Sequence, residues 1–178
     1  MPASLRAEVE VTSNISIGGG GVLYDDPDAQ GSSYDGSRGV VRMGLSSSVV
    51  FLRRRNTDFG LGLYGELYTS SFRDVQPGAG LAFVLPIHHG APIVLFAGAH
   101  YDYDGEHAAG FGGRIWWGAH NHNHHHPYNS TIGIFLEVRG NVWGNQDVVI
   151  AAGFDLDLHV ALTPWIWAAR WARGPDRH

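Results

Sequence analysis

The chain has 178 residues, which is enough for one domain with a full core, and it combines 25 glycines and 12% aromatic residues with only 16% charged residues. A net charge of −5 without a basic stripe argues against nucleic acid as a partner, and the absence of cysteine excludes disulfides, thiolate metal sites and a cysteine nucleophile. No run reaches the roughly 18 apolar residues of a membrane-spanning helix. The N-terminal segment has no signal-peptide core, so if the protein is exported we expect its signal to have been removed.

Alternation of apolar and polar side chains is the dominant pattern, and it predicts eight β-strands. In chain order, the predicted strands are 6–18, 39–52, 59–70, 78–86, 91–102, 106–120, 130–141 and 150–162. Turn signals of Gly, Pro, Asn and Asp separate them, and only the first connection is long. Eight consecutive antiparallel strands predict an all-β, up-and-down barrel, because closure leaves no sheet edge unpaired.

The predicted barrel is a single domain over residues 1–178, with strands over about 6–162 and a C-terminal tail over 163–178. In the tail, Thr163 and Pro164 are predicted to cap and begin a short surface helix, and a frayed strand is the alternative.

The two faces of the last predicted strand differ sharply. Ile150, Phe154 and Leu156 alternate with Asp155 and Asp157. The polar face of the strands is also rich in glycine, which suits a crowded lumen better than a water-facing surface. Lysine is absent and the basic side chains other than His are Arg, which suits desolvated ion pairs. We therefore predict that the polar face lines the lumen and that the aliphatic face points outward.

The predicted lumen network comprises Glu8, Glu10, Glu66, Arg114, Glu137, Arg139, Asp155, Asp157 and His159, with Arg42 as a further cation. Tyrosines and tryptophans near the predicted strand ends are expected to form an interfacial girdle.

The pattern from Arg6 to Leu162 resembles the small eight-stranded outer-membrane β-barrels of the OmpA transmembrane domain and OmpX type. The resemblance implies an antiparallel transmembrane barrel with a polar, filled lumen, porin-like in architecture but without an open pore. It also implies the bacterial outer membrane of a Gram-negative cell as the location. The expected role is structural or surface-interacting, with recognition carried chiefly by residues 23–38. The lipid bilayer is the expected partner, and lipopolysaccharide is a candidate partner.

Two alternatives belong to other functional classes. A soluble β-barrel would turn the aliphatic face inward and bind a small hydrophobic ligand. An outer-membrane lipid-modifying enzyme would use Asp155, Asp157 or His159, which fall on one face of the predicted last strand. The favoured interpretation assigns no catalytic residue and no cofactor.

A histidine-rich stretch, "HNHNHHHPYN", follows the sixth predicted strand. Neutral imidazoles bind divalent metals, and His122, His124 and His126 are the candidate ligands. The expected binding is adventitious, because no neighbouring carboxylate orients the rings.

Overall fold

A computed structural model describes residues 9–24, 36–53, 57–88, 91–103, 108–120, 130–144 and 147–173, with side chains described up to residue 165. Eight strands are followed by one helix. The strands are β1 (Glu10–Tyr24), β2 (Gly36–Phe51), β3 (Gly60–Ser70), β4 (Gln76–Leu85), β5 (Ile93–Asp102), β6 (Ala108–His120), β7 (Thr131–Trp143) and β8 (Val148–Asp157), and the helix is α1 (Leu158–Arg173). The predicted all-β class and the eight antiparallel strands are confirmed.

Each strand pairs antiparallel with its neighbours in the chain, and β8 pairs with β1 to close the barrel. This order gives the barrel two distinct ends. The loop end carries the β1–β2, β3–β4, β5–β6 and β7–β8 connections. The helix end carries the start of β1, the remaining connections and α1.

The barrel wall is apolar outside and polar inside. On β3, Leu63 is 59% exposed on the outer face, whereas the adjacent Tyr64 is 8% exposed on the inner face. The same alternation holds around the wall. Outward aliphatic or aromatic side chains include Ile17, Leu45, Leu67, Leu81, Phe111, Ile115, Ile132, Ile134, Leu136, Val138, Ile150 and Phe154.

Glycines on the inner face make room for large lumen side chains. A Cβ on Gly98 would lie 2.7 Å from the hydroxyl oxygen of Tyr64. A Cβ on Gly133 would lie 2.6 Å from the indole ring of Trp116. The aromatic rings therefore occupy space that any larger residue at these two positions would take.

The predicted end of the last strand is wrong. Strand β8 ends at Asp157, and residues 158–162 belong to α1 rather than to the barrel wall. The Asp157 Oδ1 atom accepts a hydrogen bond from the Val160 amide at 3.0 Å, which is the geometry of an N-cap. The predicted helix start at Thr163 and Pro164 is also wrong, because both residues lie inside α1. In the described part of the chain, no helix is long and apolar enough to span a bilayer.

Candidate functional site: the charged lumen

A single carboxylate, Glu137 on β7, is the centre of the lumen and is 1% exposed. Its Oε1 atom lies 2.8 Å from Arg139 Nε and 3.1 Å from Arg42 Nε. Its Oε2 atom lies 3.1 Å from Arg114 Nη2. One anion thus contacts three guanidinium groups that reach it from three different strands.

Two further carboxylates balance these cations. Arg139 Nη2 donates to Glu66 Oε1 at 2.6 Å, and Arg114 Nη1 donates to Asp155 Oδ2 at 3.2 Å. We call these six side chains the central cluster; they are Arg42, Glu66, Arg114, Glu137, Arg139 and Asp155. Three positive charges face three negative charges, and this balance is what buried ions require, because unpaired charge is costly away from water.

The ring of Tyr68 fills the space between the cations. The guanidinium carbons of Arg42, Arg114 and Arg139 lie 4.8, 4.9 and 4.8 Å from its centroid, within the range of cation–π attraction. Its hydroxyl donates to Ser16 Oγ at 2.8 Å. Tyr68 therefore packs the middle of the lumen while satisfying its own polar atom.

A polar layer lies between the central cluster and the loop end. The side-chain oxygen of Gln76 accepts a hydrogen bond from Arg42 Nη1 at 2.9 Å. Its amide nitrogen donates to Asp74 Oδ2 and to Asp102 Oδ2, each at 2.8 Å. The uncharged amide thus links the cationic side of the central cluster to two carboxylates near the mouth, and His100 bonds to the Asn141 side chain beside them at 3.0 Å.

The helix-end half of the lumen contains an apolar layer and is closed by an ion pair. The apolar layer consists of Val50, Val84, Val94, Phe96, Trp116 and Phe135. Below it, Arg53 Nη1 lies 2.9 Å from Glu10 Oε2, and His120 Nε2 lies 3.5 Å from the same oxygen. These side chains fill the lumen from the centre to the helix end.

Small cavities remain within this packing. A polar cavity at the loop end, lined in part by Gln76, His100 and Asn141, has a volume of about 30 Å³. A cavity beside Trp116 and His120 has about 20 Å³, and one beside Glu66 and Arg114 about 10 Å³. These volumes hold a few water molecules at most.

A larger cavity of about 430 Å³ lies at the loop end, outside the packed lumen. Arg38, Arg73, Ser70 and Ser71 are among the residues that line it. Both arginines are exposed. Asp74 also lines the cavity, which is therefore a recess at the rim of the barrel with two arginines, one carboxylate and two hydroxyl groups.

The residues predicted for the lumen network have different positions. On the inner face, Glu10, Glu66, Arg114, Glu137, Arg139, Asp155 and Asp157 lie in or next to the filled lumen. His159 does not, because it lies on α1 and is exposed. The prediction that His159 lines the lumen is therefore wrong, because β8 ends at Asp157, before His159. Glu8 lies outside the described residues.

The candidate metal ligands His122, His124 and His126 also lie outside the described residues. Within the described ranges, no group of three or more His, Cys, Asp or Glu side chains is arranged to hold a metal ion. His120, the first residue of the histidine-rich stretch, ends β6 and faces Glu10 in the lumen.

The constellation proposed for a lipid-modifying enzyme is not assembled. Asp155 is bound to Arg114 inside the lumen, and Asp157 caps α1. His159 is exposed on the helix, so the three side chains do not share a face.

Sequence reasoning missed Arg53, which stands in a run of three arginines just after the end of β2. It is 1% exposed and pairs with Glu10, a partner 43 positions away that no local pattern indicates. Tyr68 carried a usable signal, because it is two residues from Glu66 and therefore shares its face.

Comparisons with known proteins add no relative: no family model, no curated protein and no solved structure matches the chain. The class of the protein therefore rests on its own geometry, which is a closed eight-stranded antiparallel barrel with a charged interior.

Proposed function

We propose that the protein is a membrane-spanning barrel of the outer-membrane kind, with an up-and-down topology, a filled lumen and a structural or surface-interaction role. The observation that carries the proposal is the polarity of the wall, with aliphatic side chains outside and ion pairs inside. Water would leave that apolar surface exposed at a cost of roughly 25 cal/mol per Å², whereas lipid removes it from water. The apolar outer face of the barrel therefore supports a location in a lipid bilayer.

The dimensions of the strands support the same conclusion. They contain 10 to 16 residues, and a tilted strand needs about 9–11 residues to cross the hydrocarbon core. A closed barrel also satisfies the backbone polar groups that lipid cannot.

Aromatic side chains at both ends of the wall support a bilayer location further. Tyr103 and Trp143 are exposed at the loop end, and Trp117 is exposed near the helix end. Phe59 stacks on Phe83 at the helix end, with ring centroids 6.1 Å apart. Aromatic girdles at the two interfaces are typical of outer-membrane barrels.

The filled lumen favours a role other than transport. Eight strands enclose an interior just wide enough for side chains, and here the central cluster and Tyr68 occupy it. Function then falls to the surfaces at the two ends. The recess beside Arg38 and Arg73 supports lipopolysaccharide as a partner, because guanidinium groups bind phosphates well.

The two alternatives have less support. A soluble ligand-binding barrel needs an apolar cavity, but the apolar layer around Trp116 borders a cavity of only about 20 Å³. A lipid-modifying enzyme needs a site on the protein, and the separation of His159 from Asp155 removes the one suggested by the sequence.

Refolding tests the proposal. The urea-denatured chain is diluted into buffer with and without detergent micelles, and unheated and boiled samples are compared on an SDS gel. We expect β circular dichroism and a heat-dependent shift in migration only with detergent. A monodisperse, β-structured protein in plain buffer would contradict the proposal and favour the soluble barrel.

A further inference from the structure

The helix α1 begins without a linker where the barrel wall ends. Asp157, the last residue of β8, is fully buried and caps the first turn through the Val160 amide. Among the described residues, α1 packs mainly against β1 and β8. Its start is therefore fixed to the rim of the helix end, while the side chains of residues 159, 160 and 162–165 are exposed.

One exposed side of the helix is apolar. Leu162 is 42% exposed and Trp165 is 75% exposed. Leu158, Leu162 and Trp165 follow the i, i+4, i+7 spacing that puts residues on one side of a helix. His159 and Thr163, four residues apart, lie on another side and are both exposed.

The sequence of α1 is basic and rich in tryptophan. It contains no Asp or Glu, includes Arg170 and Arg173, and holds three of the six tryptophans of the chain. Tryptophan is enriched at membrane–water interfaces, and helices that lie in the interface combine apolar residues with basic ones. The net charge of α1 is thus positive, whereas the net charge of the whole chain is −5.

From these observations we infer that α1 is an interfacial helix that lies along an anionic lipid surface at the helix end of the barrel. Leu162 and Trp165 enter the boundary between headgroups and acyl chains, and the positive charge of the helix attracts lipid phosphates. A lipid surface fits better than a protein partner because β1 and β8, the strands that α1 contacts, have apolar outer faces, with Ile17 and Phe154 exposed. The inference rests on the proposed membrane-spanning barrel.

The absence of cysteine makes a direct test convenient. Single-cysteine variants Leu162→Cys, Thr163→Cys and Leu136→Cys are labelled with a nitroxide and reconstituted into phosphatidylcholine vesicles containing phosphatidylglycerol. Spin-label relaxation by dissolved oxygen and by a water-soluble nickel complex then measures exposure to lipid and to water. Thr163 is the matched control on the polar side of the helix, and Leu136 reports the barrel wall.

We expect labels at 162 and 136 to be relaxed mainly by oxygen, and the label at 163 mainly by nickel. Omitting phosphatidylglycerol should raise nickel access at 162 several-fold and leave 136 unchanged. Equal nickel access at 162 and 163, with 136 still protected, would overturn the inference and leave the barrel standing. Protection of 162 from both reagents would also overturn it, because a protein surface would then cover the helix. Nickel access at 136 would instead reject the membrane-spanning barrel.

Discussion

At the scale of single residues, Glu137 holds the charge balance of the lumen, since three guanidinium groups contact its two oxygens. Replacing it with a neutral isostere leaves three cations facing two anions inside the barrel. We expect Glu137→Gln to lower the free energy of unfolding by about 3–5 kcal/mol, the usual cost of breaking a buried ion pair from one side. Urea unfolding in lipid vesicles, followed by the heat-dependent gel shift, measures the change.

The control for that variant restores the balance. Adding Arg42→Met to Glu137→Gln removes one cation, so the double variant should recover part of the lost stability. Recovery will be incomplete because Arg42 also donates to Ser70 and Gln76. Equal destabilisation of the single and double variants would show that net charge in the cluster is not what Glu137 provides.

A second prediction at the residue scale concerns the space beside Tyr64. Gly98→Ala puts a methyl group 2.3 Å from the Ala79 carbonyl oxygen and 2.7 Å from the Tyr64 hydroxyl oxygen, and crowding of this kind costs about 1–3 kcal/mol. Gly65→Ala is the matched control, because its Cβ would point outward with its nearest neighbour at 4.0 Å. Urea midpoints should fall for the first variant and stay within error for the second. Similar urea midpoints for the two variants would contradict the prediction and show that the side chains around Gly98 can move to accept a methyl group.

At the scale of secondary-structure elements, the outer face of β7 provides a test of what surrounds the barrel. Leu136 lies in the middle of that strand, and Val142 lies near its loop end. In a bilayer, Leu136→Arg should cost about 2–4 kcal/mol and Val142→Arg about 0–1 kcal/mol, since the cost of charge depends on depth. Unfolding in vesicles gives both values. Small and equal effects would place both side chains in water.

The junction of β8 and α1 gives a local prediction. Asp157→Ala removes the acceptor for the Val160 amide and should destabilise the first helical turn by about 0.5–2 kcal/mol. Asp157→Asn keeps an acceptor oxygen and should retain most of the helix start. Hydrogen exchange at the Val160 amide measures this directly, and unchanged protection in the alanine variant would show that the cap is not needed.

This junction also shows where sequence reasoning stops. The strands could be predicted because alternation continues through each of them, as in the run from Leu61 to Tyr68. The end of β8 could not, because Leu158, Val160 and Leu162 continue the same alternation after the chain has turned into a helix. The hydrogen bond from the Val160 amide to Asp157 Oδ1 separates the two interpretations, and the continuing alternation hides this local cap.

The candidate site divides in a similar way. Face assignments placed Glu66, Glu137 and Asp155 on one side of their strands, which follows from period two alone. Which cation pairs with which carboxylate depends on the register between neighbouring strands. That register could not be predicted from the sequence. The pairing of Arg53 with Glu10 depends in addition on the chain beyond the end of β2.

At the scale of the whole molecule, the filled lumen predicts that the barrel does not conduct ions. Within the described residues, the cavities beside and within the central cluster have volumes of about 10 to 30 Å³, which is too small for a hydrated ion. We expect no stable conductance steps when the refolded protein is added to planar bilayers under an applied voltage. Insertion is checked separately by resistance to protease, and regular steps in membranes shown to hold the protein would contradict the filled lumen.

Closure of the barrel between β1 and β8 also sets an order of events in assembly. Asn14 pairs with Asp157, so the first strand finds its final neighbour only after the last strand has been made. Asp155 arrives on that same strand, and until then Arg42, Arg114 and Arg139 face only Glu66 and Glu137. An incomplete chain thus has two open edges and an excess positive charge in its interior. The molecule becomes electrically neutral at its centre in the same step that seals its wall.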